Sequence, residues 1–247
     1  MASPVVAGTK VDKDVGRQTT HTITFPLTLS VNDLLLGIAT FSYGTVTEII
    51  KTDNLSAVGW STSSSHRVVA IAFWGLSLGG ANDSFVFKTV PVIDSGCVAN
   101  WIVYRITGHG YDLENPLSLS ETHAITGTNF PVLACPLLLP AVTEDGLWLD
   151  FAMYSEANSI TERSGFGTKL ESLKASSTEA SIASARQAVL AEDQIVAGNW
   201  STGAMATTAY ITVVFKVSPG SYPGGSPPAD PGTGFGIYVA KDRIGIP

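Results

Sequence analysis

Short apolar runs separated by clusters of Gly, Asn, Asp, Ser and Pro recur along most of the chain. His21-Thr-Ile-Thr-Phe25 alternates apolar and polar residues, which predicts a half-buried strand. Asp33-Leu-Leu-Leu-Gly-Ile-Ala-Thr-Phe41 is densely apolar, as expected for a strand covered on both faces. Similar runs predict strands at Arg67–Trp74, Ser84–Lys88, Cys97–Ile106, Gly146–Ala152 and Ala209–Lys216. No helical patterns alternate with these runs, so the sequence predicts an all-β protein, an antiparallel β-sandwich of jelly-roll type with an extended C-terminal tail.

One segment fits this pattern less clearly. Residues 171–194 are rich in Ala and Glu and poor in turn formers, and helix propensity alone favours a helix over residues 178–192. Ser181–Leu190 also fits a strand, so the residues by themselves leave both structures open. No internal repeat is evident in the sequence.

The C-terminal region changes character after the last predicted strand. Ten of the sixteen residues from Pro219 to Gly234 are Pro or Gly, and a mixed apolar and charged segment, Phe235–Pro247, follows them. This predicts an N-terminal arm (1–16), a β-sandwich body (17–217), a linker (218–234) and a docking peptide (235–247). Extended at about 3.1 Å per residue, the sixteen residues would reach roughly 50 Å. The residues expected to dock on a partner are Phe235, Ile237, Tyr238, Val239, Lys241, Asp242, Arg243 and Ile244.

Composition narrows the range of partners. The chain has 45% hydrophobic and 14% charged residues and a net charge of −7, with no basic cluster, so we expect no nucleic-acid partner. Neither a signal peptide nor an apolar run of membrane-spanning length is present, which predicts synthesis in a cytoplasm and no membrane partner. The two cysteines, Cys97 and Cys135, are expected to be buried free thiols.

Motifs that carry catalytic or metal chemistry are missing from the sequence. No two of the four histidines have the i, i+2 or i, i+4 spacing that would place two imidazoles on one metal. A Gly-x-Ser-x-Gly nucleophile elbow does not occur, and Glu144-Asp-Gly146 fits an ordinary turn better than a catalytic carboxylate pair. We therefore expect a protein that is not an enzyme, with no catalytic residues, no metal and no cofactor.

Aromatic residues in the connections raise a second hypothesis, a carbohydrate-binding module. Trp60 follows a Val-Gly turn signal, and Trp200 lies in Gly198-Asn-Trp-Ser201, so both are predicted to be at the surface, where indole faces bind sugar rings. Tyr43 and His109 are the other candidate residues for a glycan. His109 is flanked by glycines and followed by an acid, which fits a loop ligand or an ordinary solvated loop histidine.

Several short motifs occur in an order that resembles a family of jelly-roll or sandwich modules found in tailed-bacteriophage genomes. The resemblance covers about residues 15–216, and its motifs are short and mostly structural. They are Asn32-Asp-Leu-Leu-Leu-Gly37, Gly59-Trp-Ser61, Arg67, Tyr104-Arg-Ile-Thr-Gly108, Asp145-Gly-Leu-Trp148, Ser184-Ala-Arg186 and the strand from Tyr210 to Phe215.

The resemblance implies a virion structural or fibre-type protein and favours a strand over 178–192. It predicts an exterior decoration, cement or fibre-base component located on the virion. Its expected partners are capsid, neck or tail proteins and further copies of the same chain. The linker and the docking peptide lie outside the family core, and the loop from Ser42 to Leu55 carries no familiar signature. Attachment to a particular particle would be encoded in these segments.

Overall fold

Strands make up the regular structure of the part of this protein that the structure describes. The computed structural model describes residues 3–14, 16–24, 29–42, 44–51, 55–65, 68–80, 84–91, 96–110, 119–128, 132–135, 146–154, 160–163, 169–174, 181–189, 198–202, 207–217 and 219–220. Within these ranges there are sixteen β-strands and no helix. The strands are β1 (Val5–Lys13), β2 (Thr20–Thr24), β3 (Leu34–Ser42), β4 (Gly44–Lys51), β5 (Leu55–Ser65), β6 (Val68–Ser77), β7 (Ser84–Pro91), β8 (Ala99–Thr107), β9 (Leu119–Thr128), β10 (Val132–Cys135), β11 (Gly146–Tyr154), β12 (Ile160–Arg163), β13 (Lys169–Lys174), β14 (Ser181–Val189), β15 (Gly198–Thr202) and β16 (Thr207–Val217).

These strands form four antiparallel sheets. The first large sheet has the order β1-β8-β3-β6-β5, and the second large sheet has the order β13-β14-β11-β16-β9. Two three-stranded sheets accompany them, the first small sheet (β2-β7-β4) and the second small sheet (β10-β15-β12). The prediction of an all-β, antiparallel protein is confirmed for the described residues. Each apolar run singled out in the sequence forms a strand.

The structure decides between helix and strand for one segment, and it differs from the prediction for another. Ser181–Val189 forms β14 and pairs with both β11 and β13, so the ambiguous segment is a strand there. Ala-rich sequence is compatible with this because β14 is internal to its sheet, and its consecutive residues 181–185 are all buried. Val5–Lys13, assigned from the sequence to an N-terminal arm, forms the edge strand β1 and pairs with β8 over its whole length.

The two large sheets bury one shared hydrophobic cluster. Leu34, Leu36 and Ile38 of β3 contribute to it from one side, and Leu149 and Phe151 of β11 contribute from the other. All five side chains are 0% exposed. Burying a Leu, Ile or Phe side chain stabilises a fold by about 1.5–3 kcal/mol, so this cluster is a principal source of stability.

A second cluster lies between the first large sheet and the first small sheet. Phe41 and Phe73 of the large sheet pack against Phe85 and Phe87 of β7. Their ring centroids are 4.8–5.5 Å apart, in tilted or edge-on arrangements that aromatic pairs prefer. The strand β3 is therefore covered on both faces, which is why every one of its nine residues is buried.

Gly37 of β3 is the point of closest approach inside the first large sheet. A Cβ added there would lie 2.5 Å from Cζ of Phe73 and 3.0 Å from Cγ2 of Val103. Because both neighbours are themselves buried, they have little room to move away. Only glycine fits this position without a shift of the packed side chains.

We therefore expect Gly37→Ala to lower the free energy of unfolding by about 1–3 kcal/mol, the usual cost of overpacking a core. Gly16→Ala is the matched control, since a Cβ at that exposed glycine would meet nothing within 4 Å. Urea unfolding followed by tryptophan fluorescence measures both variants. Equal midpoints for Gly37→Ala and Gly16→Ala would contradict the packing described here.

Candidate functional site

A buried polar cluster lies where β1 ends and β2 begins. Asp14 follows β1, and its backbone N–H donates to the carbonyl of Ala99 at 3.0 Å, which extends the pairing with β8 by one residue. In β2 the exposure alternates, so His21 and Ile23 point inward and their neighbours point outward. His21 thus enters the core from an alternating strand, as its sequence predicts.

The imidazole of His21 has partners on both sides of its ring. Its Nδ1 is hydrogen-bonded to Oδ2 of Asp14, and its Nε2 lies 3.2 Å from Oγ1 of Thr89 on β7. The thiol of Cys97 is a further hydrogen-bond partner, and the ring of Phe41 packs edge-on at 5.0 Å between centroids. Because Asp14 is acceptor-only when ionised, Nδ1 carries the proton in both charge states of the ring.

The charge of this cluster depends on pH. Burial lowers the pKa of His21, but the hydrogen bonds to Asp14 and Cys97 and the negative charge of Asp14 outweigh it, so the pKa of His21 is raised above its ordinary value. The protonated ring forms a buried ion pair with Asp14, whose side chain is 12% exposed. Chemically, the arrangement holds a proton; the thiol and the imidazole are both 0% exposed, so neither is presented to a substrate.

A second polar cluster forms the corner before β3. Nε of Arg105 donates to Oδ2 of Asp33 at 2.6 Å, and the same oxygen accepts from the backbone N–H of Ser30 at 2.7 Å. Asn32 adopts φ +67°, a left-handed conformation that Asn tolerates better than most residues. The motifs Asn32-Asp-Leu-Leu-Leu-Gly37 and Tyr104-Arg-Ile-Thr-Gly108 therefore meet in space, and at this corner their role is structural.

His109 belongs to the same corner. Its Nε2–H donates to the carbonyl oxygen of Asn32 at 2.8 Å, and the residue is only 3% exposed. Burial lowers the pKa of His109 below its ordinary value, although the hydrogen bond to Asn32 and the charge of Asp33 oppose this. His109 is therefore not a solvated loop histidine, and its place among the candidate glycan residues stays a prediction.

Trp200 also differs from its prediction as a surface residue. It is 0% exposed and lies on β15, the middle strand of the second small sheet. The flanking strands of this small sheet, β10 and β12, contact the second large sheet. A residue on the middle strand that faces the large sheet is therefore covered by that sheet. The turn-forming residues beside Trp200 in the sequence led to the wrong prediction that its indole is exposed.

The structure shows less about the other candidate residues. The backbone of Trp60 lies within β5, opposite Phe73 of β6, with a register irregularity between Ser56 and Gly59, in place of the predicted turn. Tyr43 lies outside the described residues. So do all the proposed docking residues, Phe235, Ile237, Tyr238, Val239, Lys241, Asp242, Arg243 and Ile244, and with them the docking peptide.

Metal-binding groups and membrane-spanning helices are both absent from the described part of the chain. It contains no group of three or more His, Cys, Asp or Glu residues placed to hold a metal ion. No helix in the same part is long and apolar enough to cross a membrane. Cys97 is a buried free thiol, as predicted.

Comparisons with known proteins were made on the full chain. No family model matches the sequence, and no curated protein or solved structure is significantly similar to it. The resemblance to phage structural modules is therefore neither supported nor opposed by these comparisons, and it stays a prediction.

Sequence reasoning missed the cluster of Asp14, His21, Thr89 and Cys97. The four residues are spread over 84 positions (from 14 to 97, both included), and only strand pairing brings them together. The available signal was the alternation of β2, which predicts that His21 points inward. A buried histidine needs a partner, and the nearest acid along the chain is Asp14.

For the His21 cluster we predict a pH-dependent contribution to stability. The folded pKa of His21 is raised, so this contribution is complete below the unfolded value of about 6.5 and is lost as pH rises through the folded pKa. Asp14→Asn should therefore lower the free energy of unfolding by about 1.5–3 kcal/mol at pH 6, with a smaller loss at pH 8.5. Urea titrations at pH 6.0, 7.0 and 8.5 measure the trend.

Asp12→Asn is the control for this series. Asp12 pairs with Lys10 at 2.8 Å in a pair whose side chains are 46% and 29% exposed, and such surface pairs contribute about 0–1 kcal/mol. Its effect should be small and the same at all three pH values. If the loss of unfolding free energy caused by Asp14→Asn grew with pH, the raised pKa assigned to His21 would be wrong.

A second prediction concerns the corner before β3. Asp33→Asn removes the charge opposite Arg105, and we expect it to lower the free energy of unfolding by about 1–2 kcal/mol, since Arg105 is partly solvated. Ser30→Ala, which removes only an exposed contact to Arg105 at 3.5 Å, should cost less than about 0.5 kcal/mol. Thermal unfolding of the two variants compares them directly; similar midpoints would be evidence against a structural role for the ion pair.

Proposed function

We propose that this protein is a non-enzymatic structural component of a virion, an exterior decoration, cement or fibre-base protein attached through its C-terminal segment. The observation that carries the proposal is the strand order. In residues 3–110 the pairs β1 with β8, β2 with β7 and β3 with β6 are nested within one another. Nested pairs of this kind result when one long hairpin is rolled up, as in a jelly roll, and they support the proposal.

The finer fold is part of the proposal. We infer a β-sandwich in which the first small sheet packs on the first large sheet through the cluster that contains Phe41, Phe73, Phe85 and Phe87. Jelly rolls of this kind are found in viral capsid proteins, in lectins and in cupins. The fold alone does not distinguish these classes of protein, so the function is inferred from the residues.

The residues favour a structural role over a ligand-binding one. His21 and His109, the described histidines with resolved side chains, are both buried and engaged by groups of the fold itself. Arg105 is likewise engaged by Asp33. Trp200, one of two principal candidates for a sugar platform, is enclosed in the protein. These groups stabilise the fold, which leaves outer surfaces and terminal segments as the parts available for assembly.

The C-terminal segment is the proposed means of attachment. Ile237, Val239 and Ile244 would add to a sheet edge or fill a groove of a capsid, neck or tail protein, or of another copy of the chain. Lys241, Asp242 and Arg243 would set the register of that contact. The location implied is the virion exterior, with no nucleic acid, membrane or cofactor involved.

Deletion of residues 235–247 tests this attachment. We expect the truncated protein to keep its unfolding midpoint, because the described strands end before the deletion, and to be lost from purified particles. The measurement is quantitative mass spectrometry of particles produced with the wild-type or the truncated gene. Deletion of residues 227–234, which shortens the linker and keeps the peptide, is the control and should leave the protein on the particle.

Truncated protein found at full occupancy would contradict attachment through the peptide while leaving the virion role intact. Wild-type protein that is absent from particles would contradict the virion role itself. Glycan binding that disappears in Trp60→Ala would favour the carbohydrate-binding alternative, for which Trp60, Tyr43 and His109 remain candidate residues.

A further inference from the structure

The two halves of the described chain have the same strand topology. Adding eight to each strand number of the first large sheet, β1-β8-β3-β6-β5, gives β9-β16-β11-β14-β13, which is the second large sheet. The same addition turns the first small sheet, β2-β7-β4, into the second, β10-β15-β12. Eight strands in two sheets can be ordered in very many ways, so a complete match is strong evidence of a shared origin.

The registers of the paired strands agree with this match. In the first half Leu34 pairs with Ile106, a pair centred on position 70; in the second half Leu147 pairs with Val217, a pair centred on position 182. The shift between them is 112 positions. Three other equivalent strand pairs give nearly the same shift: 111 for β1–β8 and β9–β16, 111 for β5–β6 and β13–β14, and 112.5 for β2–β7 and β10–β15.

Residues at matching positions also have matching roles. Leu34, Leu36, Ile38, Ala70 and Ile106 correspond to Leu147, Leu149, Phe151, Ile182 and Val217, and all ten belong to the cluster between the large sheets. Phe87 and Trp200, the equivalents on the middle strands of the small sheets, are both fully buried aromatic residues. The match preserves apolar character more than identity, which is why no repeat is evident in the sequence.

We propose that the chain is an internal dimer, in which unit 1 (residues 3–110) and unit 2 (residues 119–220) are two copies of one eight-stranded module. Each module presents the face of its large sheet to the other. This face is an interaction surface whose partner is a module of the same kind. The proposal does not depend on the virion role.

The contacts between the units have the reciprocity of a two-fold dimer. β1 contacts β13, and the equivalent pair, β9 and β5, is also in contact. The contact between β8 and β14 is likewise matched by one between β16 and β6. In an isologous interface each contact occurs twice with the partners exchanged, and these four strand pairs follow that pattern.

The position of the two-fold axis follows from one self-matched contact. His109 forms an isolated antiparallel bridge with Pro219, and the N–H of Gly220 donates to the carbonyl of Gly108 at 3.2 Å. At a shift of 111 positions Pro219 is the equivalent of Gly108. Equivalent segments that pair with each other antiparallel lie on the axis, so it passes between the ends of β8 and β16.

A polar contact crosses the same interface. The hydroxyl of Tyr104 on β8 is hydrogen-bonded to Oγ of Ser184 on β14, and the guanidinium of Arg186 lies 6.0 Å from the centre of the Tyr104 ring. Both Tyr104 and Ser184 are 0% exposed. Removal of this hydroxyl weakens the contact between units and leaves the apolar packing in place.

Cleavage between the units tests the proposal on the full chain. A site for a sequence-specific protease is inserted between Gly110 and Leu119, and the purified protein is cut. We expect the two fragments to stay together and to elute from a size-exclusion column with the uncut chain under native conditions. Fragments that separate into two peaks would overturn the internal dimer.

Variants of the cut protein locate the interface. Exchange of fragments with isotope-labelled cut protein, followed by native mass spectrometry, gives the dissociation rate. Tyr104→Phe should raise this rate roughly three- to tenfold, the effect of one buried hydrogen bond. Thr22→Ala, at an exposed position of β2 on the outer small sheet, should leave it unchanged. Equal rates for the two variants would show that the units meet through another surface and would contradict the proposal.

Discussion

The burial of one hydrophobic cluster between two five-stranded sheets is the constraint on which the rest of the structure depends. A sheet covered on both faces cannot use the usual alternation of apolar and polar residues, because it has no solvent side. The central strands β3 and β11 therefore carry apolar residues at almost every position, including Leu34 to Leu36 in one and Leu147 to Leu149 in the other. Where a side chain would not fit between the packed rings, glycine is found, as at Gly37.

Three pairs of polar side chains lie within or at the border of this apolar framework. Asp33 with Arg105 and Tyr104 with Ser184 join residues that are distant along the chain, and His21 with Asp14 joins the end of β1 to β2. Shifting a strand by one residue would reverse every side chain on it and leave such a group unpaired in a medium of low polarity. The polar pairs therefore add little to the total buried area. They do make a wrong strand register unfavourable, and they discriminate between registers more strongly than apolar contacts alone.

The sequence predicted those parts of the fold that have local causes. Dense or alternating patterns located β2, β3, β6, β8, β11 and β16, because burial of a strand is visible in its own residues. The edge strand β1 was missed, since Val5–Lys13 is only partly buried and carries few apolar residues. The positions of Trp200, His109 and the partners of His21 depend on which strand lies above or beside them. That information arises from pairing between residues as distant along the chain as His109 and Pro219, and no short motif contains it.

The His21 cluster has a different meaning once the two units are compared. At the shift of 111 positions found for β1 and β9, the residue corresponding to Asp14 is Ile125, and the residue that corresponds to His21 on β10 is Leu133 or its neighbour Ala134. The same topology therefore forms with aliphatic residues where unit 1 has an ion pair, and the ion pair is not a requirement of the module. After a gene duplication, one copy can conserve the scaffold while the other acquires a buried group that binds a proton.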